Sequence, residues 1–261
     1  MIRPRRLAVL LVCLSAQVSQ GQPAFSQALS AKTWVGRHQE IEEYLRTAEC
    51  VSTQMLIPGS GLMRCTLRPG GLFARMAWRS VPPGNYRGFW VSYKAEIAAY
   101  ELDKLLKMDM LPPAVEREFQ GSKGSAVQWV ENVVDSTGGS PDESNRAGWE
   151  KQLVQMTMFD NLIGNPVRNT RNMLHDAAWN LILLDHSRAF RYGTDLSRPL
   201  SRVDAGLWTN VQALTRTQLD ARLGPWLDPN EIAAMLERRE KMKADVDRLV
   251  AEKGAAAVFL R

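Results

Sequence analysis

The chain has 261 residues, 45% of them apolar and 23% charged, enough to bury one large or two modest cores, which excludes a disordered chain. Its formal charge of +5 includes Arg3, Arg5 and Arg6; taking those three away leaves +2, and no basic footprint for nucleic acid remains. Three scattered histidines, His38, His175 and His186, give no zinc-binding spacing.

Residues 1–28, MIRPRRLAVLLVCLSAQVSQGQPAFSQA, put those arginines before a short apolar run with small residues after it, the layout of a secretory signal peptide cleaved after Gly21 or near Ala28. Export to the periplasm or the exterior follows. Valine precedes Cys13 where a lipobox wants a small residue, which argues against a lipid anchor, and Arg5-Arg6 allows twin-arginine export. The apolar run is shorter than the ~20 residues of a membrane span, so the mature chain is expected to have none. Cys50 and Cys65 are then the only mature cysteines, able to pair in an oxidising compartment or to stay as small apolar residues.

GRHQEIEEYLRTAE reads as a short helix with Ile41, Tyr44, Leu45 and Ala48 at helical intervals. Short runs punctuated by PGSG, RPGG and PPGN follow, predicting an antiparallel meander. From Trp90 to Pro113 the period turns helical, with Ala95, Ala98, Ala99, Leu102, Leu105 and Leu106 on one stripe and Pro112-Pro113 as its stop. A strand is expected at AVQWVENVV, and an exposed loop at 135–146, DSTGGSPDESNR.

GWEKQLVQMTMFDNLIG begins a second half with a helix, then come a loop, NPVRNTRN, and a strand pair at NMLHD and NLILLD. The clearest late helix follows Asp228 as cap with Pro229 in its first turn. Its ERREKMK run reads as a solvated face, and Trp90, Trp129, Trp149, Trp179, Trp208 and Trp226 read as packing anchors. The order predicts an α+β chain in two lobes: signal 1–28, sheet-bearing lobe 29–134, loop 135–146, and helical lobe 147–261.

Asn172 closes a loop before one strand and Asp185 follows the next, so a hairpin brings a carboxamide and a carboxylate to one rim. Oxygen ligands of this kind suit Mg²⁺, which takes few protein donors and completes its shell with phosphate and water. Taken singly, each residue is also an ordinary turn former.

Val167-Arg168-Asn169-Thr170-Arg171-Asn172 followed by Leu184-Asp185-His186 resembles the Asp-Arg-(His/Asn)-x-x-Asn … (Ile/Leu)-Asp-(Phe/His) pattern of the atypical kinases: phosphatidylinositol 3-/4-kinase-like, HipA-type and secretory-pathway kinases. The resemblance covers roughly residues 40–250 and implies a two-lobed protein-kinase-like fold, with an antiparallel sheet and one helix in the N-lobe and a mainly helical C-lobe. It further implies an ATP and Mg²⁺ site for γ-phosphoryl transfer, with Asn172 and Asp185 on the metal and Arg168 bracing the loop.

Two positions depart from the pattern. Val167 stands where the resemblance puts the acid that orients the acceptor hydroxyl, and valine can neither take up a proton nor accept a hydrogen bond. Arg79 stands where the phosphate-binding lysine belongs; Glu96 is its expected partner, with Glu101 the alternative. Gly59 and Gly61 of PGSG are candidates for a turn covering the phosphates, though a short glycine hairpin is commonplace. Asp160 and Asn165 are expected to steady the loop, Asp160 lying about two helical turns from Val167 and so a poor substitute base. The resulting expectation is a degenerate exported bacterial member, a pseudokinase with ATP binding retained and an unidentified protein partner or acceptor. The alternatives are an active atypical kinase or nucleotidyl transferase using another acid, and a structural exported domain that binds no nucleotide.

Overall fold

The computed structural model describes residues 30–86 and 88–261. The expected signal segment lies outside them. Helix α1, His38–Thr47, precedes three strands, β1 Cys50–Met55, β2 Leu62–Leu67 and β3 Arg75–Arg79. A small hairpin, β4 Gly84–Tyr86 and β5 Phe89–Val91, leads into α2, Tyr93–Leu106, whose N-cap Ser92 accepts the Lys94 N–H. Strands β6, Ala114–Phe119, and β7, Ser122–Gln128, complete a five-stranded antiparallel sheet in the order β1-β2-β3-β7-β6.

Strand alternation gives this sheet two apolar faces. Trp34, Ile41 and Leu45 cover one, meeting Leu67, Met76, Trp78, Val115 and Ala126. The other face, through Ala114 and Val127, lies against α2, whose Ala95, Ala98, Ala99, Leu102 and Leu106 join the larger core. Gly124 of β7 lets β3 come close: a Cβ there would lie 2.4 Å from the Arg79 carbonyl oxygen. Cys50 and Cys65 are joined by a disulfide across β1 and β2.

Two expectations need correction here. The strand expected through Val134 stops at Gln128; only Val134–Asp135, β8, re-enters a ladder, and the neighbour β6 was not anticipated. Asn132, with φ of 57°, turns the chain between the two strands. The loop expected at 135–146 ends early, because Asp142 caps the next helix through the Asn145 N–H, so residues 143–146 are helical.

That helix, α3 Glu143–Ile163, runs into a 3₁₀ turn, Thr170–Asn172, and the hairpin β9 Met173–His175 and β10 Leu181–Leu183. Beyond it come β11 Val203–Asp204, α4 Ala205–Ala213, α5 Arg216–Leu223, α6 Pro229–Lys253, α7 Ala255–Val258 and β12 Phe259–Leu260, with β11 and β12 paired in parallel. Asp228 caps α6 in a capping box with Glu231. The ERREKMK stretch of α6 is not simply solvated: Arg238 and Met242 are fully buried. Arg238 donates to the carbonyls of Leu162, Arg191 and Gly193, tying α6 to the end of α3 and to the loop beyond the β9–β10 hairpin. The large core under α2 is thus built from α3, α4, α5 and α6, with Phe159, Phe190, Trp208 and Met235 at its centre.

Candidate functional site

Helix α3 ends at Gly164, whose left-handed φ of 62° accommodates the turn into Asn165-Pro166-Val167. A side chain at Gly164 would collide with the Arg238 guanidinium, 2.8 Å from an added Cβ, so the end of α3 and the start of the loop are fixed together. Val167 is 40% exposed, on the solvent side of this loop.

The next residue, Arg168, turns inward, its side chain fully buried. Its guanidinium grips Asp160 with two parallel bonds, Nε to Oδ2 at 3.0 Å and Nη2 to Oδ1 at 2.8 Å. Nη1 donates to the Leu184 carbonyl at 2.7 Å, and Nη2 lies 2.8 Å from His186 Nε2. Arginine only donates, so Nε2 accepts and the imidazole proton sits on Nδ1, facing Glu96 Oε1 at 3.3 Å. Asn165 donates from Nδ2 to Asp160 Oδ1 at 2.9 Å. A buried chain Asp160–Arg168–His186–Glu96 therefore runs from α3 to α2. Asp160 is fully buried within it, both of its oxygens accepting hydrogen bonds.

The β9–β10 hairpin sets the other half of the site. Leu183 faces Met173, and one step on the Leu184 N–H donates to the Asn172 carbonyl at 3.0 Å, which brings Asn172 beside the Leu184-Asp185 peptide. Asp185 takes a left-handed φ of 57°, a conformation aspartate tolerates better than most residues, and this re-aims the chain. Glu96, in the first turn of α2, accepts the His186 N–H at 2.8 Å, and the Ser92 N–H donates to the Ser187 carbonyl at 2.8 Å. The segment after Asp185 is thus pinned to the N-terminus of α2.

Arg79, at the end of β3, reaches this segment. Its Nη1 donates to Asp185 Oδ1 at 2.7 Å and to Ser187 Oγ at 2.6 Å, while Ser187 Oγ donates to the same Asp185 oxygen at 2.7 Å. Burial pushes the Asp185 carboxyl up, but the Arg79 charge and the Ser187 bond outweigh it and hold the group down at about 2. Burial likewise works against the Arg79 charge, and the Asp185 and Glu96 carboxylates overcome it.

Of the residues singled out in the sequence, Arg79, Glu96, Arg168, Asn172 and Asp185 come together, but with different partners. Arg79 is paired to Asp185, not to Glu96, which is taken up by His186. Glu101, the alternative, points elsewhere, to Lys104 and Arg222. Gly59 and Gly61, with φ of 73° and 66°, turn the β1–β2 hairpin, and Leu62, the residue after Gly61, is in register with Arg79, so PGSG sits at the sheet end that carries the arginine. Ser187 was missed as a site residue, its only sequence signal being nearness to Asp185, and His186 was quoted in the Leu184-Asp185-His186 match but given no role. A cavity of about 360 Å³ opens beside Pro166, lined by Phe89, Trp90, Arg188, Arg191 and Tyr192. Arg188 lies over the Phe89 ring, 4.2 Å from its centre.

Of the two residues expected on a divalent cation, Asp185 has Oδ1 engaged by both Arg79 and Ser187, while its Oδ2 makes no hydrogen bond among the described residues. Among the described residues no group of three His, Cys, Asp or Glu side chains is placed to hold a metal. Nor does the Asn172 carboxamide make a hydrogen bond among them.

By sequence, no family model and no curated protein matches the chain. Solved structures do. A hydra Fam20 structure with sugar aligns with a TM-score of 0.62 at 15% identity, covering 85% of this chain and 92% of that one. The Golgi casein kinase with Mn/ADP bound aligns at 0.62 and 16% identity, covering 85% of this chain and 78% of that one, and a second structure of the Golgi casein kinase does so at 0.62 and 18%. Identities this low speak to fold alone: the chain has a two-lobed, kinase-like α+β fold of the kind found in the Fam20 secretory-pathway kinases, with an antiparallel sheet above a mainly helical lobe.

Proposed function

We propose that the protein is an exported pseudokinase, one that binds the phosphates of a nucleotide but does not transfer them. The observation carrying this reading is the contrast within one loop. Arg168 and its partners keep the loop rigid and in place, yet Val167, the exposed residue at its tip, offers no base. General-base help is worth roughly 10²–10⁴ in rate, and Asp160, at the end of α3, is buried and bonded to Arg168 and Asn165. The nucleotide is suggested by the Mn/ADP in the Golgi casein kinase structure and by the juxtaposition of Arg79 with the glycine hairpin. Export is supported by the N-terminal segment and by the Cys50–Cys65 disulfide, which suits an oxidising compartment.

The test has two parts. Thermal unfolding with ATP or ADP should show stabilisation, about 2.7 kcal/mol at a hundredfold excess over Kd; none at saturating nucleotide leaves the structural reading in its place. Wild type given labelled ATP should put no label into protein or inorganic phosphate. Brisk transfer that Val167→Asp does not raise would establish an active phosphotransferase and end the pseudokinase reading.

A further inference from the structure

We infer that the cavity beside Pro166 is a second binding site, one that takes a phosphate monoester carried on an aromatic ring, as in the side chain of phosphotyrosine. It stands apart from the nucleotide reading, since it uses none of the residues in the Arg79–Asp185 or Arg168 networks. The charge around the cavity, the rings that line it and the way those rings are held each point to this ligand.

The charge comes from Arg188 and Arg191, and no aspartate or glutamate is among the lining residues. Neither guanidinium makes an ion pair or a hydrogen bond among the described residues; Arg188 rests on the Phe89 ring, 4.2 Å from its centre. The Arg191 charge is felt by its neighbour: burial, the larger cause, and then Arg191 push the Arg238 guanidinium down to about 10. A dianion in the cavity would balance the two arginines and relieve that repulsion. A phosphate monoester carries about −1.5 to −2 charges at pH 7 and offers three acceptor oxygens, where a carboxylate brings a single charge. Arginine forks match its oxygens.

The rings supply the other half. Phe89 and Tyr192 are 47% and 53% exposed, so the fold does not bury them. Trp90, half-buried, has its ring centre 6.1 Å from that of Tyr192. In the β4–β5 hairpin Trp90 stands opposite Asn85, and the two line the cavity together. The Tyr192 hydroxyl donates to Asp228, the cap of α6, so a bond made outside the cavity holds this ring at its wall. A volume of about 360 Å³ is at the small end of ligand sites and has room for one ring and its phosphate. Inorganic phosphate would leave the rings unused, and an uncharged aromatic would leave the arginines unpaired.

The experiment is calorimetric titration of the full chain, in EDTA and without nucleotide, with phenyl phosphate, inorganic phosphate and phenol. Phenyl phosphate is expected to bind with a Kd of about 1 mM or tighter, and each of the others at least about tenfold more weakly. Lowering the pH through about 6, the second pKa of the phosphate, should weaken binding as one charge is lost. Arg191→Gln and Tyr192→Leu, both at exposed positions, should each weaken it by about tenfold, their unligated melting temperatures reporting that they are folded. Tighter binding of N-acetyl-O-phosphotyrosine amide than of phenyl phosphate supports a polypeptide as the source of the ring; weaker binding supports a free aryl phosphate. Inorganic phosphate binding as tightly as phenyl phosphate, an affinity indifferent to Arg191→Gln, or no binding at about 10 mM phenyl phosphate each overturns the inference. None of these results bears on the nucleotide reading, which the thermal titration with ADP tests separately.

Discussion

At the residue scale the molecule turns on Arg168. Its charge is buried and its five N–H donors serve Asp160, His186 and the Leu184 and Asn172 carbonyls. Removing one member of such a pair costs more than the pair contributes, because the survivor stays buried and unpaired. Arg168→Met should lower the unfolding free energy by roughly 3–5 kcal/mol, and Asp160→Leu in the same chain should return much of it. Urea denaturation of the single and double variants measures both. A single variant within about 0.5 kcal/mol of wild type would mean that the buried bridge is not what holds the loop.

At the scale of the element, α2 has a cost built into its last turn. Asp103 Oδ1 accepts the Met110 N–H at 3.0 Å, shaping the exit from the helix, while Oδ2 is buried without a partner. Burial lifts this carboxyl to about 7, opposed by the Met110 N–H and the Lys32 charge and helped by Asp109. The folded group thus holds its proton more tightly than the unfolded one, whose pKa is ~3.9. Its contribution is fully present below about pH 4 and is lost as pH rises toward and through 7. Urea midpoints taken at pH 5 and pH 8 should therefore fall for wild type and differ less for Asp103→Asn, whose amide does not titrate. An equal fall in both would assign the pH dependence to other groups.

For the whole molecule, the sheet-bearing half is closed by the Cys50–Cys65 disulfide, which spans 15 residues between its first two strands. In the chain-entropy model a loop of that size is worth about 3 kcal/mol, acting through the unfolded state. Cys50→Ser, or reduction at fixed pH, should lower the melting temperature by several degrees without altering the helical lobe's Arg168 network. An unchanged melting temperature would show that β1 and β2 are held by pairing and by the α1 face alone.

Much of this fold was legible locally. Helix α1, the α2 stripe, the β9–β10 pair and the Asp228-capped α6 follow from apolar period and capping, which act over a few residues. Strand β6, AVEREF, was not, because its charged residues mask the alternation and its pairing with β7 decides it. The early start of α3 hid behind a polar tract in which Asp142 is a cap and not a loop residue. Which residues gather at the candidate site could be inferred from their order, but their partners could not. Arg79 and Asp185 are 106 positions apart, and whether an arginine reaches a helix glutamate or a hairpin aspartate depends on where β3, α2 and the segment after β10 come to rest. Likewise Arg238 looks solvated in sequence and is buried because three backbone carbonyls, from the end of α3 and from residues 191 and 193, converge on its side of α6. Sequence alone determined most of the helices, the β9–β10 pair and the valine at 167, since these are properties of single positions and short periods. Only the tertiary structure decided who neutralises Asp185, since a charge pairs with whatever opposite charge the packing of distant segments leaves within reach.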